Sequence, residues 1–133
     1  MRIIVKRGSN VLTRADGRLS IARMAALADE ITDLHEQGHQ VVLVSSGAVA
    51  AGKAQVSLPK TVEAVARRQV LSAVGQTVLI DTYRALFAAN GLNIGQILVT
   101  KNDFSSPEHT TNMRQCIHAL FAYGILPVVN END

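Results

Sequence analysis

The sequence predicts an α/β fold with a mainly parallel sheet covered by helices, and three observations carry the prediction. Short runs rich in β-branched residues alternate with longer stretches of helical periodicity. The run Val41-Val42-Leu43-Val44 has no polar alternation, as expected for a strand buried on both faces. Finally, 133 residues of which 47% are hydrophobic can bury one sizeable core, so a single globular unit accounts for the chain.

Taken in order, the first strand is Ile3-Ile4-Val5, and Ser20 then caps a helix on which Ile21, Met24, Leu27, Ala28, Ile31 and Leu34 recur on one face until Gly38 closes it. The second strand, Val41 to Val44, runs into Ser45-Ser46-Gly47. The small residues Ala48 to Ala54 form a short helix before Pro59. Thr61 caps a long helical pattern reaching about Asn90, with Val62, Val65, Ala66, Val70, Ala73, Leu79, Tyr83, Leu86 and Phe87 as its apolar face, and Gly75 marks a place where it can bend or split. Ile94 to Thr100 reads as a third strand. Ser106-Pro107-Glu108 starts the last helix, with a hydroxyl cap, proline at the first position and an acid facing the dipole, and Gly124 ends it. Ile125 to Val129 is the fourth strand, in which Pro127 requires either an edge position or a place where its missing N–H has no partner.

Composition excludes several function classes. Thirteen Lys and Arg against eleven Asp and Glu give a net charge of +2, and no basic stripe is present, which argues against nucleic acid as a partner. The opening Met1-Arg2-Ile3-Ile4-Val5-Lys6 is too short an apolar run for an export signal, and no run approaches the ~20 apolar residues that span a bilayer. The lone Cys116 has no Cys or His at metal-ligand spacing and reads as a small core residue in a reducing, cytoplasmic setting.

In an open parallel sheet, ligands bind beyond the carboxyl ends of the strands, where loops converge and helix N-termini present free N–H groups. The four loops expected there are Lys6-Arg7-Gly8-Ser9-Asn10, Ser45-Ser46-Gly47-Ala48, Thr100-Lys101-Asn102-Asp103 and Asn130-Glu131-Asn132-Asp133, each polar, small or charged. Any one is explained by ordinary surface polarity. Together, with glycine and serine turns beside lysines and carboxylates, they point to one functional edge that takes anionic ligands. A competing motif, Gly47 to Lys53, has the spacing of a phosphate-binding P-loop, but position 54 is Ala instead of the Ser or Thr that would ligate Mg²⁺. His35 and His39 have a helical metal-binding spacing, but Gly38 separates them and no third ligand is near, so no metal site is assigned. His109 and His118 lie near the last helix without a nucleophile at a recognisable spacing.

Four segments, Val5-Lys6-Arg7-Gly8-Ser9-Asn10-Val11-Leu12-Thr13, Val44 to Gly52, Ala73-Val74-Gly75-Gln76 and Asn130-Glu131-Asn132-Asp133, together resemble the glutamate 5-kinases of the amino acid kinase family. The motifs occur in that family's order along the whole chain. The kinase part of bifunctional pyrroline-5-carboxylate synthetase is similar. The resemblance implies a three-layer αβα sandwich of amino acid kinase type, incomplete at its C-terminus, in which residues 1–133 are the N-terminal, glutamate-binding half and the nucleotide-binding half is absent. It implies formation of γ-glutamyl phosphate from L-glutamate and ATP with Mg²⁺, the first step of proline biosynthesis, by a homo-oligomer with proline as a feedback inhibitor. By the same resemblance Lys6 is catalytic and contacts the ATP phosphates with Gly8 and Ser9, while Ser46, Gly47, Ala48 and Asp133 bind the substrate. The chain departs from the family pattern at Arg7, where an apolar residue is usual, and at Thr110-Thr111-Asn112, where an aromatic is usual. The alternatives are a P-loop-like nucleotide binder and a non-catalytic binding or assembly fragment.

Overall fold

A computed structural model describes residues 1–99 and 105–130 of the chain. The elements are β1 (Arg2–Arg7), α1 (Ser9–Leu12), α2 (Ile21–Glu36), β2 (Gln40–Ser45), α3 (Ala48–Gln55), α4 (Ala64–Ala89), β3 (Ile94–Leu98), α5 (Pro107–Ala122) and β4 (Leu126–Asn130). The strands form one parallel sheet in the order β1-β2-β4-β3, with helices on both faces. This is the helix-covered parallel sheet that the alternating pattern predicts, in the three layers that the family resemblance implies.

Strand alternation divides the sheet into two faces. Val41 and Leu43 of β2 and Leu126 and Val128 of β4 point toward α2 and α4, where they join Leu12, Met24, Leu27, Ile31, Leu79, Tyr83 and Phe87 in one buried cluster. On the opposite face Ile4 and Val42 border a groove beside Met113, Ile117 and Phe121 of α5. Helix α5 approaches the sheet closely at Gly95 of β3, where a Cβ would stand 2.9 Å from the end of Leu120. Both sequence-predicted serine caps form: the Ser20 side chain accepts from the Arg23 N–H, and Ser106 accepts from that of His109.

Several expectations are corrected. Strand β4 lies inside the sheet, not at an edge, and Pro127 is tolerated there for the second of the two reasons considered. The Leu126 N–H donates to Asn93 on the β3 side, so the Pro127 nitrogen turns toward β2, where register begins only at Leu43↔Val128. Helix α4 starts after Glu63 rather than at Thr61, because Pro59 to Val62 closes into a turn in which the Val62 N–H donates to the Pro59 carbonyl. Gly75 does not split α4, which runs unbroken for 26 residues. The buried face of α4 begins at Leu71, leaving Val65, Val70 and Ala73 exposed. Strand β3 ends at Leu98, where its pairing with Asn130 ends; Thr100 lies outside the described residues. Cys116 is exposed, because α5 leans on the sheet through other positions and buries none of its residues. No helix among the described residues is long and apolar enough to cross a membrane.

Candidate active site

At the carboxyl edge of the sheet, β1 and β2 end side by side in the register Arg7↔Ser45. Lys6 and Arg7 leave β1 on opposite faces, Lys6 on the exposed one. Arg7 is half-buried, with its guanidinium turned back to donate to the Lys6 carbonyl at 3.0 Å, which accommodates a charge where the family pattern has an apolar residue. The next turn places Gly8 ahead of the single helical turn α1. Its φ of −80° suits any residue, and nothing lies within 4 Å of where a Cβ would stand, so neither backbone nor packing demands glycine there.

The second turn meets the first. The Ser46 N–H donates to the Arg7 carbonyl at 3.2 Å, and the hydroxyls of Ser9 and Ser46 lie 3.3 Å apart. Ser46, Gly47 and Ala48 are all buried. Gly47 precedes α3 with φ 122°, a conformation that L side chains rarely adopt, and this frees the first N–H groups of α3 at the edge. Beneath the turn, Ser45 donates to the Ser46 carbonyl at 3.1 Å. With its one proton committed there, the Ser45 oxygen accepts from the Tyr83 hydroxyl at 2.8 Å. Burial pushes the Tyr83 phenol above its ordinary value of 10.0, against a smaller opposing effect of the Arg7 charge.

Helix α4 completes the edge. A Cβ on Gly75 would stand 1.6 Å from the Ala48 carbonyl oxygen, and one on Gly52 would stand 2.0 Å from that of Leu71, so α3 and α4 touch backbone to backbone through these two glycines. This explains the small-residue run Ala48 to Gly52 and overturns the P-loop alternative. Residues 48–55 are already helical, with no loop left to wrap a phosphate, and Lys53 is exposed in the last turn of α3. One residue beyond Gly75, Gln76 accepts a hydrogen bond at 3.0 Å from the side chain of Asn130, which lies beside Ser45 in register.

The structure therefore brings Lys6, Gly8, Ser9, Ser46, Gly47 and Ala48 to one edge. Asp133 lies outside the described residues, as do Glu131, Asn132 and the Thr100-Lys101-Asn102-Asp103 loop. Sequence reasoning noted Gln76 only as part of a motif; its pairing with Asn130, 54 residues away, has no local signal. His35 and His39 do not share a helix, since α2 stops at Glu36, and no group of three or more His, Cys, Asp or Glu converges among the described residues.

A parallel sheet covered by helices on both faces, with small-residue and hydroxyl turns gathered at its carboxyl edge, makes this a three-layer α/β domain, and comparison gives the family. The model of the amino acid kinase family matches residues 1–133, and the chain belongs to that family. Its relatives include glutamate 5-kinases: those of Bacteroides thetaiotaomicron (46% identical), Symbiobacterium thermophilum (44%) and Vibrio vulnificus (48%). The matches cover 98–99% of this chain but 37%, 50% and 35% of those relatives, so the chain spans between about a third and half of their length. Among solved structures, that of an isopentenyl phosphate kinase shares the fold, with a TM-score of 0.61 at 17% identity, over 99% of this chain and 57% of that one.

Proposed function

We propose that the chain is the amino-acid-binding part of a glutamate 5-kinase, which transfers the γ-phosphoryl group of ATP to the γ-carboxylate of L-glutamate as the first step of proline biosynthesis. The observation that carries this reading is the meeting of the Ser9 and Ser46 turns at one sheet edge, in a chain 44–48% identical to glutamate 5-kinases over nearly its whole length.

The chemistry asks little of a protein base. A glutamate side chain has an ordinary pKa of about 4.3, so the attacking carboxylate is already ionised at neutral pH and catalysis rests on positioning and charge neutralisation. In this reading the Lys6 ammonium stabilises charge on the transferring phosphoryl group, and Gly8 and Ser9 receive the ATP phosphates. The open space around Gly8 supports close approach of phosphate oxygens to its backbone. Ser46, with the turn at Gly47 and Ala48, holds a substrate carboxylate through its hydroxyl and the free N–H groups of α3. Asp133 pairs with the substrate ammonium. Mg²⁺, brought with ATP as part of the substrate, would supply charge neutralisation for the transferring group. Proline as a feedback inhibitor, a homo-oligomeric state and a cytoplasmic location belong to the same reading.

The test is an ATP titration with and without L-glutamate, with ADP formation followed both for this chain and for residues 1–133 joined to the remaining part of the Bacteroides relative. The chain alone should turn over negligibly, because phosphoryl transfer needs both substrates positioned together, and the joined protein should form ADP only when L-glutamate is present. In the joined protein, Lys6→Ala should slow turnover with a smaller effect on the glutamate KM, whereas Asp133→Asn should raise the glutamate KM and leave that for ATP nearly constant. Glutamate-independent ADP formation would overturn the reading, and unchanged turnover in Lys6→Ala would remove Lys6 from the mechanism.

A further inference from the structure

We propose that Gln76 is a positioning residue that orients the Asn130 side chain so that its carbonyl oxygen receives the ammonium group of the substrate. The inference rests on the glutamate reading and assigns to two described residues a part in recognising the α-amino end. Asn130 is 5% exposed and closes β4 at the carboxyl edge, beside Ser45 and hence next to the Ser46-Gly47 turn. Its Nδ2 donates to Gln76 Oε1 at 3.0 Å, while its Oδ1 is buried without a hydrogen-bond partner. Buried amide oxygens are seldom left unsatisfied, and one at the rim of a binding edge calls for a donor from outside the protein. Gln76 also lines a groove of about 770 Å³ along α4, with Arg68 and Ser72 among its other walls.

The chemistry of the missing donor follows. An ammonium carries three N–H donors and no acceptor, so it suits an amide oxygen and is repelled by an amide NH₂. The orientation of the Asn130 amide therefore decides whether the site attracts or repels the substrate, and Gln76 sets it by taking up the NH₂ end. Gly75, locked against the Ala48 carbonyl, fixes where Gln76 stands relative to the Ser46 turn.

The experiment compares L-glutamate with glutarate, which has both carboxylates and no ammonium. Each is titrated into the ¹⁵N-labelled 133-residue chain, with affinities read from backbone amides of the Ser46 turn and orientation from the side-chain amide signals of Asn130 and Gln76. The wild-type chain should bind L-glutamate more tightly than glutarate, with the Asn130 amide signal moving only for L-glutamate. Gln76→Met should weaken L-glutamate about tenfold or more and leave glutarate unchanged, so that the preference collapses. Gln76→Glu, which keeps an acceptor for Nδ2, should restore it. An equal loss for both ligands would mean that Gln76 only supports the fold, and no loss would mean that the amide is held without it; either result overturns the proposal while the glutamate reading stands. A wild-type chain that responds to neither ligand overturns this proposal, while the glutamate reading is decided separately by ADP formation in the joined protein.

Discussion

On one face of the sheet, α2 and α4 press Met24, Leu43, Tyr83 and Phe87 completely out of solvent, whereas on the other face α5 buries none of its own residues and Ile4 stands 74% exposed. The two faces also differ in what touches what. Toward α4 the contacts that shape the site are backbone to backbone, with Gly75 against Ala48 and Gly52 against Leu71; toward α5, Gly95 meets the flexible end of Leu120. Backbone has no rotamer to give and a leucine tip has several, so the first face tolerates almost no change of volume and the second tolerates some. The candidate site takes its geometry from the rigid face, while the looser face carries Lys6 at its rim.

The comparison breaks most sharply on a pair of glycine substitutions. Gly75→Ala puts a Cβ where the Ala48 carbonyl already is, so α3 and α4 must separate. The cost should be about 3 kcal/mol or more, even after the ~1 kcal/mol by which alanine favours a helix. Gly95→Ala asks only that Leu120 change rotamer and should cost about 1 kcal/mol or less. Denaturant midpoints of the two variants measure the difference, and equal losses would dissolve the contrast between the faces.

The next effect sharpens the rigid face. Tyr83→Phe deletes the donor to Ser45 in a buried setting and should cost about 1–2 kcal/mol. It should also change the alkaline limit of stability. The folded phenol holds its proton above 10.0 while the unfolded one titrates near that value, so stability is fully present below pH 10 and falls as the pH rises from there toward the folded pKa. Unfolding free energies between pH 8 and 11 should fall more steeply for the wild type than for Tyr83→Phe, and parallel curves would mean that Tyr83 is not protected from titration.

Ser46→Ala comes third. It removes a neutral hydroxyl that meets Ser9 and, in the proposed function, a substrate carboxylate, so glutamate affinity should fall by about 0.5–1.5 kcal/mol, while the turn keeps its shape through the Ser46 N–H to the Arg7 carbonyl. Calorimetric titration with L-glutamate measures this, and an unaltered affinity would remove the hydroxyl from the substrate contacts.

How much of this the sequence discloses depends on the range of the interaction. The strands, the Ser20 and Ser106 caps and the edge where the turns gather follow from local pattern, since period and capping chemistry act within a few residues. The strand order does not: Pro127 is equally compatible with an edge strand and with the inner position that β4 takes, and only the partner's register decides. Cys116 reads as core because its neighbours are helix-like, yet exposure depends on which side of α5 meets the sheet. Gly75 looks like a flaw in a helix until α3 is seen lying on it, and the Gln76–Asn130 pair joins two segments that no periodicity connects.

The smallest effect concerns the looser face. Ile4 lies on the edge strand β1 between Arg2 and Lys6 on the same side of the sheet, exposed beside the groove that α5 leaves open. Ile4→Thr keeps the β-branched shape that suits a strand, adds no third charge to that row and exchanges apolar for polar surface where little is buried. Stability should therefore change by no more than about 0.5 kcal/mol in either direction. Self-association should decrease, since an exposed apolar residue on an unpaired strand edge is where a second chain would dock. Sedimentation velocity of the two proteins over a range of concentrations checks the second statement and thermal unfolding the first. A loss of 2 kcal/mol or more would show that Ile4 is packed as tightly as the residues beneath α4, and the contrast between the two faces would then have to be redrawn around β1.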